Sequence, residues 1–351
     1  MSDFHKLTIQ SITRETAQAI SVGFSIPSDL KDVFSYLAGQ YITLKTTING
    51  TEIRRAYSIC STPQSGELRV AIKEVENGTF SVYANKELKE GDTIEVSAPE
   101  GRFVLDSAFA KAKKTYLTFA AGSGITPIMS MIKTVLENSS ESEFVLVYGN
   151  KRPEDAIFRD ELLALRNQYN DRFSIEFIYS QSREDGAHFG RIMKSTVNFV
   201  VKNKYASHNF NDVYLCGPEA MIQEVTTVLK DNGTADSNIH FELFTASTEE
   251  VVIEEALDGK SHIKVLVDDE EFEFTMGQDV IILDAALDEN IDAPHSCQGG
   301  VCSSCIARVT EGAAVMEKNQ ILTDSEVAEG LILTCQAHPT SAKVVIDYDD
   351  V

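Results

Sequence analysis

The chain has 351 residues, enough for two or three domains, with an apolar fraction of 43% and a charged fraction of 24% that are ordinary for globular protein. Its net charge of −23 argues against nucleic acid and anionic membrane as partners. No apolar run reaches 18 residues and no basic-plus-apolar leader opens the chain, so neither a membrane span nor a cleaved signal is expected, and a cytoplasmic location is.

Short strands are expected over residues 7–12, 19–24, 41–47, 68–73 and 93–98, with turn residues between them, as at Ile48-Asn49-Gly50 and Glu90-Gly91-Asp92. That pattern predicts a small antiparallel β-barrel or sandwich. Arg55-Ala56-Tyr57-Ser58 follows a strand and a turn. A Tyr face stacks on planar rings, a Ser hydroxyl bonds a ring nitrogen and Arg pairs with phosphate in two directions. An exposed Arg beside a core Tyr is the plain alternative. Lys73 ends the fourth of these strands. Gly78-Thr79-Phe80-Ser81 then opens a helix over 82–88, and free N–H groups at such a start suit a pyrophosphate; an ordinary N-cap explains it as well. Cys60 reads as a packed thiol.

From about residue 112 strands alternate with helices: strands at 116–121, 144–149, 174–180 and 212–216, helices at 127–137, 155–166 and 218–232. Alternation of this kind predicts βαβ units and a parallel sheet. Ala121-Gly122-Ser123-Gly124-Ile125-Thr126-Pro127 joins the first strand to its helix. Gly122 and Gly124 let backbone approach a dinucleotide, Thr126 follows, and Pro127 suits a first helical turn. Ser182 and Arg183 follow the third strand, where a ribose or its 2′-phosphate sits in such sheets. They favour NADPH, while Glu184 and Asp185 nearby leave NADH open. Arg191 adds a second cation or is merely solvated. Cys216-Gly217-Pro218 ends another strand, and Cys216 lies either beside a nicotinamide or simply buried. Phe244 covers a ring or closes a core strand with Phe241 and Leu243.

Residues 246–258 read as an exposed linker of net charge −5. Residues 259–351 hold 18 acidic side chains against five basic, a net −13 that suits a basic protein partner. A hairpin is expected over 262–275, a helix over 280–290, and strands at 306–310 and 343–348. Cys297, Cys302, Cys305 and Cys335 follow C-x4-C-x2-C with 29 residues before the last, the plant-type spacing for a [2Fe–2S] cluster. Gly299 and Gly300 allow the tight loop that three thiolates from one segment require. A zinc site is the alternative, although it usually pairs two close-spaced cysteine knuckles.

The motifs at 55–58, 122–127 and 216–218, in that order, together resemble the ferredoxin–NADP⁺ reductase superfamily, and the cysteines resemble a plant-type ferredoxin fused behind it. The resemblance covers the whole chain. The domain order and the tail residues Val315-Met316-Glu317-Lys318-Asn319, Leu322, Glu326, Gly330 and Cys335-Gln336 are similar to multicomponent oxygenase reductases, the phenylacetyl-CoA epoxidase group among them. It implies an FAD-binding antiparallel β-barrel domain (1–108), an NAD(P)-binding α/β parallel-sheet domain (109–245), and a β-grasp-like α+β ferredoxin domain (259–351). Arg55, Ala56, Tyr57 and Ser58 would serve the flavin, with Gly78, Thr79 and Ser81 at its pyrophosphate, and Lys73 would bind one of the two cofactors. Gly122, Gly124, Thr126 and Pro127 would flank the nicotinamide nucleotide, with Cys216, Gly217 and Pro218 beside its ring and Ser182, Arg183 and Arg191 at its far end. Ser58, Cys216 and Phe244 would be catalytic. Electrons would pass from NADPH, or NADH, through FAD and the cluster to an oxygenase or hydroxylase component. A desaturase or P450 is the alternative acceptor. His295 stands where such ferredoxins often carry an aromatic residue.

Overall fold

The computed structural model describes residues 4–105, 113–244 and 259–351. The expected boundary after residue 108 and the expected linker 246–258 lie outside the described residues. Packing divides the chain into a larger unit, Phe4–Ile53 with Tyr57–Phe244, and a smaller unit that holds the C-terminal residues.

The larger unit begins with β1 (Phe4–Thr16), β2 (Ala19–Ser25), β3 (Tyr41–Ile48), β4 (Thr51–Ser58), β5 (Leu68–Lys73), helix α1 (Thr79–Lys86) and β6 (Thr93–Ser97). The strands form one antiparallel-type sheet in the order β4-β3-β6-β1-β2-β5. Alternate residues supply one core: Leu7 and Ile9, Ile20 and Val22, Ile42 and Leu44, Leu68, Val70 and Ile72, Ile94 and Val96. This period of two gives the sheet one apolar face. Phe80 and Ala84 of α1 pack into the same core. Arg55 to Ser58 follow β3 and the turn at Asn49-Gly50, as expected, and themselves form the end of β4.

The second sheet is built from β7 (Thr115–Ala121), α2 (Ile125–Asn138), β8 (Glu143–Asn150), α3 (Arg159–Gln168), β9 (Phe173–Tyr179), β10 (His188–Phe189), α4 (Lys194–Asn198), β11 (Asp212–Gly217), α5 (Glu219–Asp231) and β12 (Ile239–Leu243). Its order is β10-β9-β8-β7-β11-β12 with every pair parallel. Tyr116, Leu117, Phe119 and Ala120 of β7 are all fully buried, as a strand covered on both faces requires. The helix expected over 155–166 is broken. A short 3₁₀ turn at Pro153–Asp155 precedes it, and Phe158 takes the left-handed conformation (φ 60°) before α3 starts. Ala156, Ile157 and Phe158 are all buried. Driving three consecutive side chains into the core outweighs helical continuity there. A π-helical turn at Phe199–Lys204 extends α4, a segment without a clear period in the sequence.

The smaller unit contains β13 (Lys260–Val267), β14 (Glu270–Gly277), α6 (Ile282–Asp288), β15 (Ile306–Glu311), β16 (Ala314–Met316), α7 (Asp324–Ala328), β17 (Leu331–Leu333), β18 (Ala337–Pro339) and β19 (Lys343–Asp347). Five strands form a mixed sheet, β14-β13-β19-β15-β17, in which only the β13–β19 pair is parallel; β16 and β18 make a separate ribbon. The first hairpin turns at Asp268-Asp269, both with positive φ, and their N–H groups donate to the Asp349 carboxylate. The expected hairpin and helix are present, with α6 shorter than the 280–290 read from sequence. Thr323 and Glu326 form a reciprocal capping box at α7.

Candidate functional site

In the parallel sheet β7 is central, with β8 and β9 added on one side and β11 and β12 on the other. The order therefore reverses between β7 and β11, and ligands bind beyond the carboxyl ends of strands at such a point. The Gly122–Gly124 turn follows β7, and Cys216-Gly217 ends β11. Gly122 makes the turn with φ 56°, and its carbonyl accepts from the Tyr148 hydroxyl at 3.0 Å. Gly124 also seats the loop. A Cβ there would come within 2.1 Å of the Cys216 carbonyl oxygen, so the missing side chain seats the loop against β11. Thr126 donates to the Ser123 carbonyl at 3.1 Å. Pro127 stands in the first turn of α2, where no N–H is needed. Pro218 precedes α5 in the same way.

Ser58, at the end of β4, is buried and donates to Glu242 Oε2 at 3.4 Å. Glu242 pairs in register with Cys216 across β11 and β12. Ser58 and Cys216, far apart in sequence, thus meet around one carboxyl group. Glu242 as a residue is only partly buried, but its carboxyl is enclosed. That loss of water pushes it up to about 8, against the Ser58 hydrogen bond that pulls it down. Burial likewise raises the Cys216 thiol, with the Glu242 charge adding to it. Sequence reading missed Glu242 as a site residue. Its only signal was one acid inside the apolar run Phe241-Glu242-Leu243-Phe244. Phe244 lies just past β12, partly buried against the core of the larger unit.

Tyr57 packs its ring 5.6 Å from Phe80, joining β4 to α1. Arg55 is exposed, with no carboxylate partner among the described residues; its guanidinium donates to the Arg54 carbonyl at 2.6 Å. Gly78 precedes α1 and Thr79 begins it, while the Ser81 hydroxyl turns back to accept from Val75 N–H at 3.1 Å. Lys73 ends β5 with its amine near Gly122, 3.8 Å from where a Cβ would stand. Burial lowers its pKa, partly offset by Asp155 and reinforced by Lys151. Ser182 and Arg183 follow β9. The Arg183 guanidinium lies 5.0 Å from the Phe189 ring centre, and Glu184 is held away by Arg159 at 2.6 Å. Arg191 is exposed beyond β10.

In the smaller unit, Cys302, Cys305 and Cys335 are buried and Cys297 partly so. The Cys297 sulfur is in hydrogen-bonding contact with those of Cys302 and Cys335, and the Cys305 sulfur with that of Cys335. Gly299 N–H donates to the Cys297 sulfur at 3.3 Å. The left-handed positions of the loop are Gln298 and Gly300 rather than Gly299. A Cβ on Gly300 would also press the Gln336 side chain at 3.0 Å. Gln336 closes the loop from the far side, donating to the carbonyls of Gln298 and Cys335. No group of three or more His, Cys, Asp or Glu is arranged for a single metal ion among the described residues. Four converging sulfurs with an N–H aimed at one of them fit the donor set of a two-iron cluster. His295 turns its Nδ1 to the Ala293 carbonyl at 2.8 Å.

Residues 6–105 match the oxidoreductase FAD-binding domain, 119–227 the oxidoreductase NAD-binding domain, and 265–340 the 2Fe-2S iron-sulfur cluster binding domain. The chain is 36% identical to one of the subunits of the 1,2-phenylacetyl-CoA epoxidase of Escherichia coli (strain K12), over 99% of both chains. It belongs to the ferredoxin–NADP⁺ reductase superfamily, in the branch with a C-terminal [2Fe–2S] domain. Another relative is the ferredoxin reductase component of 3-ketosteroid-9-alpha-monooxygenase from Rhodococcus rhodochrous, 30% identical over 97% of this chain and 96% of that one. Among solved structures, phthalate dioxygenase reductase superposes with a TM-score of 0.61 at 26% identity, covering 98% of each chain. It is described as a modular structure for electron transfer from pyridine nucleotides to [2Fe–2S]. This member of the superfamily is an NAD(P)H-dependent oxidoreductase that uses FAD and a [2Fe–2S] cluster.

Proposed function

We propose that the protein is the reductase component of an oxygenase acting on a coenzyme A thioester of the phenylacetyl type. Full-length likeness to the Escherichia coli epoxidase component carries this reading. Likeness to a ketosteroid monooxygenase reductase and a glycine betaine monooxygenase reductase supports the broader reading, an oxygenase with another substrate. A bound flavin would supply the conversion of a two-electron hydride donor into single electrons for the cluster, which the protein would support by position and electrostatics.

Arg55 and the start of α1 would neutralise the flavin diphosphate, while Tyr57 and Ser58 would line its ring. The Gly122 turn, Lys73 and Cys216-Gly217 would receive the nicotinamide half. Ser182 and Arg183 would receive the 2′-phosphate, and with Glu184 held by Arg159 the preference is for NADPH. Glu242 would hold a proton at neutral pH and orient Ser58 at the reacting ring. The four cysteines would bind the cluster. No described helix is long and apolar enough to cross a membrane, and we place the protein in the cytoplasm. Reconstitution with purified candidate oxygenase components tests the acceptor. NADPH-dependent substrate oxidation with the phenylacetyl-CoA epoxidase components is expected. Turnover only with a different oxygenase would replace that acceptor while keeping the electron path.

A further inference from the structure

Behind the cysteine loop lies a relay of buried hydroxyl groups. Tyr348 follows β19, and its N–H donates to the Leu266 carbonyl of β13 at 2.9 Å. The ring is buried, and its hydroxyl donates to Thr334 Oγ1 at 2.9 Å. Thr334, fully buried, donates its own hydroxyl to the Cys305 carbonyl oxygen at 3.0 Å, and its backbone N–H reaches the same oxygen at 3.1 Å. The donor order is fixed by chemistry. A carbonyl only accepts, so the Thr334 proton is committed to Cys305 and the Tyr348 proton must point to Thr334.

The relay ties together two segments that have to stay in register. Cys305 is the last cysteine of the loop, and Thr334, which holds the Cys305 carbonyl, immediately precedes Cys335. The Tyr348 hydroxyl is also within electrostatic reach of both sulfurs. We propose that Tyr348 is a positioning residue for the cluster, acting through Thr334 to hold the Cys305–Cys335 pair and to raise the cluster's reduction potential. Reduction would add a negative charge at the cluster, and donors on the Cys305 carbonyl draw electron density from that ligand residue, which favours the reduced form. Two donors reach that oxygen, and in a buried chain each hydrogen bond polarises the next. Hydrogen bonding around the ligands is a recognised control of cluster potential. No proton moves and no bond is made.

This inference rests on Cys305 and Cys335 being ligands. The test is an EPR-monitored redox titration of the full-length protein carrying Tyr348→Phe, which removes one oxygen and keeps the ring. The variant is expected to retain its cluster and to shift the one-electron equilibrium toward the oxidised form by about threefold, or about 28 mV at 59 mV per tenfold. Thr334→Val should shift it in the same direction, Thr334→Ser should match the unsubstituted protein, and the double variant should go no further than Thr334→Val. An unchanged midpoint in either Tyr348→Phe or Thr334→Val would overturn the proposal. Loss of the cluster from both would also overturn it, by making the relay an assembly device rather than a tuning one. A missing [2Fe–2S] signal in the unsubstituted protein would sink the ligand assignment itself, a distinct result.

Discussion

At the scale of one residue, the proposed flavin chemistry turns on Glu242. Its enclosed carboxyl, pushed up to about 8, holds a proton at neutral pH while its Oε2 accepts from the Ser58 hydroxyl. The sign follows from linkage. A carboxyl raised in the folded state favours folding while protonated, so its contribution fades as pH climbs from the ordinary carboxylate range through about 8. Stopped-flow flavin reduction should therefore slow above about pH 8 in the native protein. Glu242→Gln, which keeps a donor but cannot ionise, should show a flat profile over the same range. Glu242→Ala should lose about a hundredfold in rate, the lower end for a positioned proton-handling group. A native profile unchanged in Glu242→Gln would remove Glu242 from the chemistry. In the smaller unit, Cys305→Ser should abolish one-electron output to cytochrome c while leaving NADPH oxidation by ferricyanide intact. Loss of both activities would contradict separate flavin and cluster steps.

Two features belong to the scale of elements. The seat of the Gly122–Gly124 turn on β11 leaves no room for a methyl group, so Gly124→Ala should cost about 1–3 kcal/mol and lower the melting temperature. Glu176, buried in β9, accepts from Tyr205 at 2.7 Å and pairs with Lys204 at 2.6 Å and His188 at 3.1 Å. Burial alone would raise its pKa, but these three partners together hold it below the ordinary value. A depressed carboxylate stabilises the fold above its unfolded pKa, and that contribution is lost as pH falls through the folded value. Glu176→Gln should therefore destabilise by about 1–3 kcal/mol at neutral pH, with a smaller difference in acid, measured by denaturant titration. Strands and helices with a clean period were readable in the sequence: β5 and the core of β7 follow directly from their apolar patterns. The break at Phe158 was not, because a left-handed phenylalanine is set by what its ring packs against. Nor was the ribbon of β16 and β18, whose three-residue strands carry no period. The cysteine spacing was legible because ligand geometry constrains sequence directly. Glu242 was not, because its role depends on Ser58 of a different sheet.

At the scale of the whole molecule, the acids are unevenly shared. Residues 259–351 carry a net −13, while residues 1–245 carry −5. A predominantly acidic surface on the cluster-bearing segment speeds encounter with a basic partner and is screened by salt. Electron delivery to a reconstituted oxygenase should therefore weaken as ionic strength rises, while ferricyanide reduction, which does not need that partner, should not follow it. Equal salt dependence of the two would argue that the charge serves only solubility.

The central claim is that one chain carries electrons from nicotinamide through flavin to a [2Fe–2S] cluster. An anaerobic absorbance titration of the purified protein, first with NADPH and then with NADH, tests it most directly. Bleaching of both flavin and cluster bands, faster with NADPH, is the predicted result. Flavin bleaching that leaves a cluster signal untouched, or a protein with neither chromophore, would contradict it.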